Sequence, residues 1–169
     1  MAVKPDLTNY YPVCVRGDVN WWDGEEYNLN NYFDELEDYK NMDFNNCKLE
    51  WFVDDDDGRI YFNSLAAVYD FNLIFGDDRI LVKTRLLGER HPIYCNDYDK
   101  ITGWLYDKFG TDSTLDYIFW EGSLNCGAPN WRWRHIREYT GTIGNMSGEV
   151  IEYAFANKCD ALQFKLVWG

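Results

Sequence analysis

Four consecutive aspartates, Asp54–Asp57, stand between two short runs of aromatic and β-branched residues. These flanks predict a β-hairpin over Leu49–Phe62, in which Gly58 can take the positive φ of a tight turn. A calcium-binding loop built around Gly58 would need chelating ends, where the chain has Val53 and Ser64. The spacing therefore excludes that loop; we predict no metal ligand set, and only a looser cation site stays open. Because unpaired carboxylates are costly to bury, we expect all four aspartates to face solvent.

A second group of carboxylates lies on a predicted amphipathic helix. The segment Leu29–Lys40 carries apolar residues at helical spacing. Residues three or four positions apart are neighbours on a helix, so the acids of the opposite face form a regular row of negative charge. Together with the aspartate turn, this row is the predicted partner-binding surface, made of Asp34, Glu35, Glu37, Asp38, Asp54, Asp55, Asp56 and Asp57.

Basic residues concentrate in two predicted strands, Arg79–Leu87 and Asn130–Tyr139. If these strands are neighbours, Arg132, Arg134 and His135 form an alternative anion site, with the tryptophans at 131 and 133 as stacking surfaces. In the other interpretation the arginines pair with the protein's own carboxylates. The second interpretation is favoured because the chain has 29 acidic residues against 16 basic ones.

Residues typical of catalysis are scarce. His91 and His135 are the two histidines, and the chain has no serine-nucleophile, zinc-protease or phosphate-loop motif. The five cysteines form no C-x-x-C pair, which argues against a zinc site and a disulfide framework and favours small buried thiols in a reducing compartment. We predict no catalytic residues and no cofactor, and the sequence favours a binding protein over an enzyme.

The remaining segments complete an α+β prediction: one domain over residues 1–169, mostly antiparallel sheet with two to three amphipathic helices. Ser64–Phe75 is ambiguous, because Ser64 could cap a helix but the apolar run suits a strand better. Residues 141–148 are predicted as a turn. The other predicted elements are strands at Tyr10–Arg16, Leu115–Trp120 and Glu149–Ala156, a helix at Asn96–Phe109 ended by Gly110, and a final helix at 161–168 capped by Asp160.

Charge is distributed unevenly along the chain, whose net charge is −13. Residues 1–78 hold 18 acidic and five basic side chains, whereas residues 79–169 hold 11 of each. Such a charge repels nucleic acid and anionic membranes, so we expect no direct binding to either. No apolar run approaches the roughly 20 residues of a membrane span, and the first residues do not look like a signal peptide. We therefore expect a soluble, cytoplasmic protein, in the host cytoplasm if it is viral.

These observations predict an acidic inhibitor that occupies the basic groove of a nucleic-acid-binding enzyme. Duplex DNA carries one negative charge per about 1.7 Å of its axis, and a folded acidic surface can imitate that field. In composition and size the chain resembles small phage and mobile-element antirestriction and anti-CRISPR proteins, and immunity proteins are of the same type; no motif carries the resemblance. Two alternatives stay open: a small enzyme or nucleotide-binding protein that uses residues 131–137 as its anion site, and a viral or assembly subunit.

Overall fold

The computed structural model describes residues 6–14, 29–40, 42, 48–88, 97–114, 130–143 and 145–169, with 140–143, 146 and 147 described in their backbone only. In this part of the chain the fold is α+β, with four helices and two three-stranded antiparallel sheets, which confirms the predicted class. None of these helices is long and apolar enough to cross a membrane. In chain order the elements are β1 (Tyr11–Cys14), α1 (Leu29–Lys40), β2 (Trp51–Asp54), β3 (Arg59–Phe62), α2 (Leu65–Phe75), β4 (Ile80–Lys83), α3 (Asp97–Phe109), β5 (Trp133–Ile143), β6 (Met146–Phe155) and α4 (Lys158–Trp168).

The described residues group into two compact units. The first draws on Met1–Asp77 and Thr114–Pro129, and the second on Asp78–Ser113 and Asn130–Gly169. The first unit contains the sheet β1-β3-β2 with α1 and α2, and the second contains the sheet β4-β6-β5 with α3 and α4. That residues 1–169 form one domain stays a prediction.

The predicted hairpin forms the centre of the first unit. Strands β2 and β3 pair antiparallel with Val53 opposite Ile60, and Gly58 has a φ of 62°, the left-handed conformation that glycine adopts without strain. Ile60 and Phe62 are fully buried on the face that packs against α2, where the rings of Phe62 and Phe71 lie 5.7 Å apart.

Helix α1 begins and ends at the predicted residues, Leu29 and Lys40. Its apolar stripe is fully buried at Leu29, Tyr32 and Leu36. The ring of Tyr32 lies 5.6 Å from that of Phe71 and makes an edge contact, so α1 packs against α2. The acidic face consequently points away from this contact.

The preference for a strand over Ser64–Phe75 is wrong. The segment is helix α2, and the Ser64 hydroxyl accepts a hydrogen bond from the Ala67 N–H, as an N-cap does. Seven of its eleven residues are buried, including both alanines and Phe75. A helix buried on most sides lacks the one-sided pattern that distinguishes it from a buried strand in the sequence.

The core of the second unit lies between its sheet and the helices α3 and α4. Phe155 of the central strand contacts Phe109 of α3 and Phe164 of α4, at ring distances of 5.9 and 5.2 Å. Trp133 is buried beside them and its indole N–H donates to the Gly110 carbonyl at 2.8 Å. Gly110 has a φ of 79°, as expected of the residue that follows a helix.

Strands β5 and β6 form a hairpin much longer than predicted, because most of residues 141–148 continues the strands instead of turning. Gly148 allows Leu87 to approach β6 closely, because a Cβ there would lie 2.0 Å from the Leu87 carbonyl oxygen, beside the bridge between Leu87 and Glu149. The pairing also contains an irregularity between His135 and Arg137, where Ile136 is the extra residue of a β-bulge.

Other predicted boundaries shift. Helix α4 is capped by the Asn157 side chain, which accepts from the Asp160 N–H at 2.9 Å, so Asp160 is not the cap. Regular pairing of the strand predicted at Arg79–Leu87 covers only Ile80–Lys83 and resumes in a single bridge at Leu87. The predicted strand Leu115–Trp120 and Asn96, the first residue of the predicted second helix, lie outside the described residues.

Candidate functional site

The acidic helix and the hairpin are joined through one tryptophan. Trp51, the first residue of β2, stacks on Phe33 of α1 with ring centroids 6.1 Å apart and planes 21° apart. The ammonium of Lys40, at the end of α1, lies 5.2 Å from the centroid of the same indole ring. Trp51 therefore contacts α1 at Phe33 and at its last residue, Lys40, in favourable aromatic and cation–π geometry.

Seven of the eight predicted partner-binding carboxylates are exposed. On α1, Glu37 forms an ion pair with Lys40 at 3.1 Å, and both side chains remain more than half exposed. At the tip of the hairpin, the charge of Asp57 contributes to raising the pKa of Arg59, behind the larger effect of a hydrogen bond with Tyr61. We call these residues the acidic surface: Asp34, Glu35, Glu37, Asp38, Asp55, Asp56 and Asp57.

The eighth residue, Asp54, does not face solvent as predicted. Its side chain is only 4% exposed, and its Oδ1 accepts a hydrogen bond from the Asp56 N–H at 3.2 Å. This local bond is that of an Asx turn, which folds the chain at the end of β2. Asp54 thus shapes the turn that presents the three following aspartates.

The alternative anion site is occupied by the protein's own groups. Arg132 forms a bidentate pair with Asp160, including Nε to Oδ2 at 2.7 Å, and these hydrogen bonds raise the pKa of Arg132. Arg134 donates to the Ser113 carbonyl at 2.7 Å, and His135 Nε2 lies 3.4 Å from Glu138 Oε1.

The tryptophans beside these residues are also unavailable as stacking surfaces. Trp131 and Trp133, predicted to stack on a bound ligand, are both buried in the protein. The geometry of this strand accordingly fits internal pairing and not an open anion site.

A second internal cluster lies on the opposite face of the same sheet from the Trp133 core. Glu152 of the central strand stands between Lys83 and Arg137, with Nζ–Oε2 and Nε–Oε1 distances of 3.8 and 3.2 Å. The cationic groups of Lys83 and Arg137 both lie over the Tyr139 ring. The pKa of Lys83 is raised, first by a hydrogen bond with Tyr139 and then by nearby negative charge that includes Glu152. Sequence alternation missed Arg137 here, because the bulge at Ile136 moves it onto this face.

The predicted burial of the cysteine thiols is wrong where it can be checked. Cys14 and Cys159 carry exposed thiols, whereas Cys47, Cys95 and Cys126 lie outside the described residues. His91 also lies outside them. Within the described ranges, no three His, Cys, Asp or Glu side chains are grouped as a metal ion would require.

The acidic surface can bind cations of a partner, because its carboxylates are exposed on elements held by packing. The contacts of Trp51 with α1 are the main unpredicted support of this surface, since contacts between residues distant in sequence leave no periodic signal in the chain. Compared with protein-family models, curated proteins and solved structures, the chain gives no match.

Proposed function

We propose that the protein binds, through its acidic surface, the basic groove of a nucleic-acid-binding enzyme and thereby inhibits it. The observation that carries the proposal is that an acidic helix and an acidic hairpin tip belong to one packed unit, joined at Trp51. The partner is a basic protein, and the cytoplasm is the proposed compartment. This is the mode of a nucleic-acid mimic of the antirestriction, anti-CRISPR or immunity-protein type.

The charge density of α1 supports the mimicry. Asp34, Glu35, Glu37 and Asp38 occupy four of five successive helical positions. At about 1.5 Å rise per residue, this gives one carboxylate per roughly 1.5–2 Å of helix axis. Duplex DNA carries one charge per about 1.7 Å, so a groove lined with Lys and Arg would meet a similar field.

The proposal is also supported by the preorganisation of the acidic surface. The α1 stripe is fully buried, so the helix does not have to form on binding, and Asp54 fixes the turn before the tip. The ordering cost that weakens binding by flexible acidic tails is therefore small. Complementary charge of this kind mainly accelerates association and makes it sensitive to salt.

The test uses the protein as bait in a lysate of its native host, at low and high salt, with three variants. Glu35→Gln/Asp38→Asn removes two charges of the helix row, and Asp55→Asn/Asp56→Asn removes two of the hairpin tip. Asp99→Asn/Asp107→Asn is the matched control, because it removes two exposed charges from α3 of the other unit. The expected capture is a basic nucleic-acid enzyme, weakened by salt and by the first two variants alone.

A second step separates inhibition from mere binding. The captured enzyme, produced separately, is mixed with a fluorescent DNA duplex and titrated with the protein. Displacement of the duplex by the native chain, and weaker displacement by the helix and hairpin variants, is the expected result. A partner that binds both acidic-surface variants as tightly as the control variant would refute the proposal.

A further inference from the structure

Helix α4 exposes an apolar face that its own unit does not cover. Ala161 and Phe164 are buried in the core, whereas Leu162 and Leu166, on the opposite side, are 58% and 78% exposed. Among the described residues, three of the seven exposed large hydrophobic side chains lie on this one helix, the third being Val167. Exposed apolar residues are normal singly, but a cluster on one helix face points to an interaction surface.

The same face lacks the negative charge that covers much of the chain. Residues 156–169 contain a single acidic side chain, Asp160, which is 1% exposed and bound to Arg132. The exposed charges of the helix are Lys158 and Lys165. Two copies with a net charge of −13 repel each other over most of their surface, and residues 156–169 add no exposed carboxylate to that repulsion.

The spacing of the exposed residues is that of a helix–helix seam. Cys159, Leu162 and Leu166 recur at three- and four-residue intervals, as a and d positions of a heptad do. Lys158 and Lys165 then occupy g positions, and Gln163 an e position. In an antiparallel pair of helices the g positions face each other, which would place lysines against lysines. In a parallel pair each g position faces an e position, so Lys158 of one copy would meet Gln163 of the other.

We propose that this face, defined by Cys159, Leu162 and Leu166, is the interface between two copies of the chain, with their α4 helices packed in parallel. The helix is already folded against its own sheet, so pairing does not have to order it. The seam is short, so the dimer is expected to dissociate on dilution. This inference is independent of the proposed inhibitor function, because it uses the other unit and no acidic-surface residue.

Sedimentation velocity over a range of protein concentrations tests the interface. The native chain should show a monomer–dimer equilibrium that strengthens with salt, opposite to the salt response of the proposed enzyme complex. Leu162→Glu/Leu166→Glu should remain monomeric at all concentrations, with an unchanged circular dichroism spectrum because both side chains are exposed. Tyr69→Glu, an exposed apolar position on α2, is the matched control and should dimerise normally. A native chain that stays monomeric overturns the proposal.

Oxidative cross-linking tests the parallel arrangement. In a parallel pair the two Cys159 thiols lie opposite each other at an a position, so diamide, which takes up two electrons and two protons, should join them as a disulfide. Peptide mass mapping should find the Cys159–Cys159 link in large excess over links through Cys14, the other exposed thiol among the described residues, and Cys159→Ser should abolish it. A dimer without that link would be antiparallel or formed elsewhere and would overturn the proposal.

Discussion

Carboxylates serve opposite purposes in two regions of the molecule. On the acidic surface of the first unit they are exposed, and the Glu37–Lys40 ion pair is open to solvent on both sides. In the second unit, Asp160 and Glu152 are 1% and 3% exposed and lie directly against cations. A buried charge is tolerated only with a partner, whereas an exposed one needs none. The difference separates carboxylates that hold the fold from those left available for another molecule.

The largest expected effect comes from Asp160→Asn. It removes the charge that binds Arg132 and weakens the reciprocal bonding with Asn157 at the start of α4. We expect a loss of about 2–3 kcal/mol in the free energy of unfolding, since charged hydrogen bonds to a buried group are lost while Arg132 can still reach water.

Urea denaturation measures this loss. The matched control is Asp97→Asn, which removes a partly exposed carboxylate 3.7 Å from Lys100 on α3 and should cost less than about 0.5 kcal/mol. Equal losses in the two variants would contradict the contrast between buried and exposed carboxylates.

Glu152→Gln should have the next largest effect. The substitution keeps the shape of the side chain but leaves Lys83 and Arg137 close together without the carboxylate between them. The expected loss is about 1–2 kcal/mol, smaller than at Asp160 because both cations are partly exposed. Thermal unfolding compares it with Glu37→Gln, whose exposed pair should contribute less than about 0.5 kcal/mol. A Glu37 effect as large as that of Glu152 would show that exposure does not decide the role.

Within the hairpin turn, buried Asp54 and exposed Asp55 show the same contrast between a carboxylate that holds the fold and one that does not. Asp54→Ala should cost about 1 kcal/mol because the bond to the Asp56 N–H is lost, while Asp55→Ala should be nearly neutral. Asp54→Asn should restore most of the stability, because an asparagine side chain also makes this turn. Hydrogen exchange at the Asp56 amide is the direct measurement. If the Asp56 amide exchanged as fast in Asp54→Asn as in Asp54→Ala, Asp54 would not stabilise this turn.

The smallest effect concerns a carboxylate held by a neutral donor. The Tyr10 hydroxyl donates a hydrogen bond to the Glu50 carboxylate at 2.6 Å. Burial is the largest cause, and this hydrogen bond the second largest, of the rise of the Tyr10 pKa to about 12. A raised pKa means that the folded state keeps the proton longer, so the contribution to stability is present below about pH 10 and is lost between about 10 and 12. The free energy of unfolding of the Tyr10→Phe variant should therefore decline less over that pH range than that of the native chain. Parallel declines would refute the assignment.

Sequence patterning predicted α1 and the hairpin well, because both have one buried and one exposed side. The Leu29–Lys40 stripe identifies its helix to the residue, and Gly58 marks its turn. Helix α2 was missed because it is apolar on most sides, and the α4 cap was misplaced because Asn157 and Asp160 are both residues that cap helices.

The candidate surface was predicted less completely than the fold elements. Exposure of the α1 row follows from helical periodicity, so those four residues could be identified from the sequence alone. The burial of Asp54, the stacking of Phe33 on Trp51 and the pairing of Arg132 with Asp160 depend on which distant segments meet. A single sequence records propensities along the chain, and these contacts depend on the completed packing.

The bulge at Ile136 sets the register of β5 against β6. Because side chains alternate along a strand, one extra residue decides the face on which each later side chain of β5 falls. With it, Arg137 stands opposite Glu152 and Glu138 opposite Ile151. Deleting Ile136 would leave these pairs unchanged and remove the bulge, whereas a strand that kept Ile136 without the bulge would set Ile136 opposite Glu152 and Arg137 opposite Ile151. The bulge therefore decides that a guanidinium, and not the apolar side chain of Ile136, meets the buried carboxylate of Glu152.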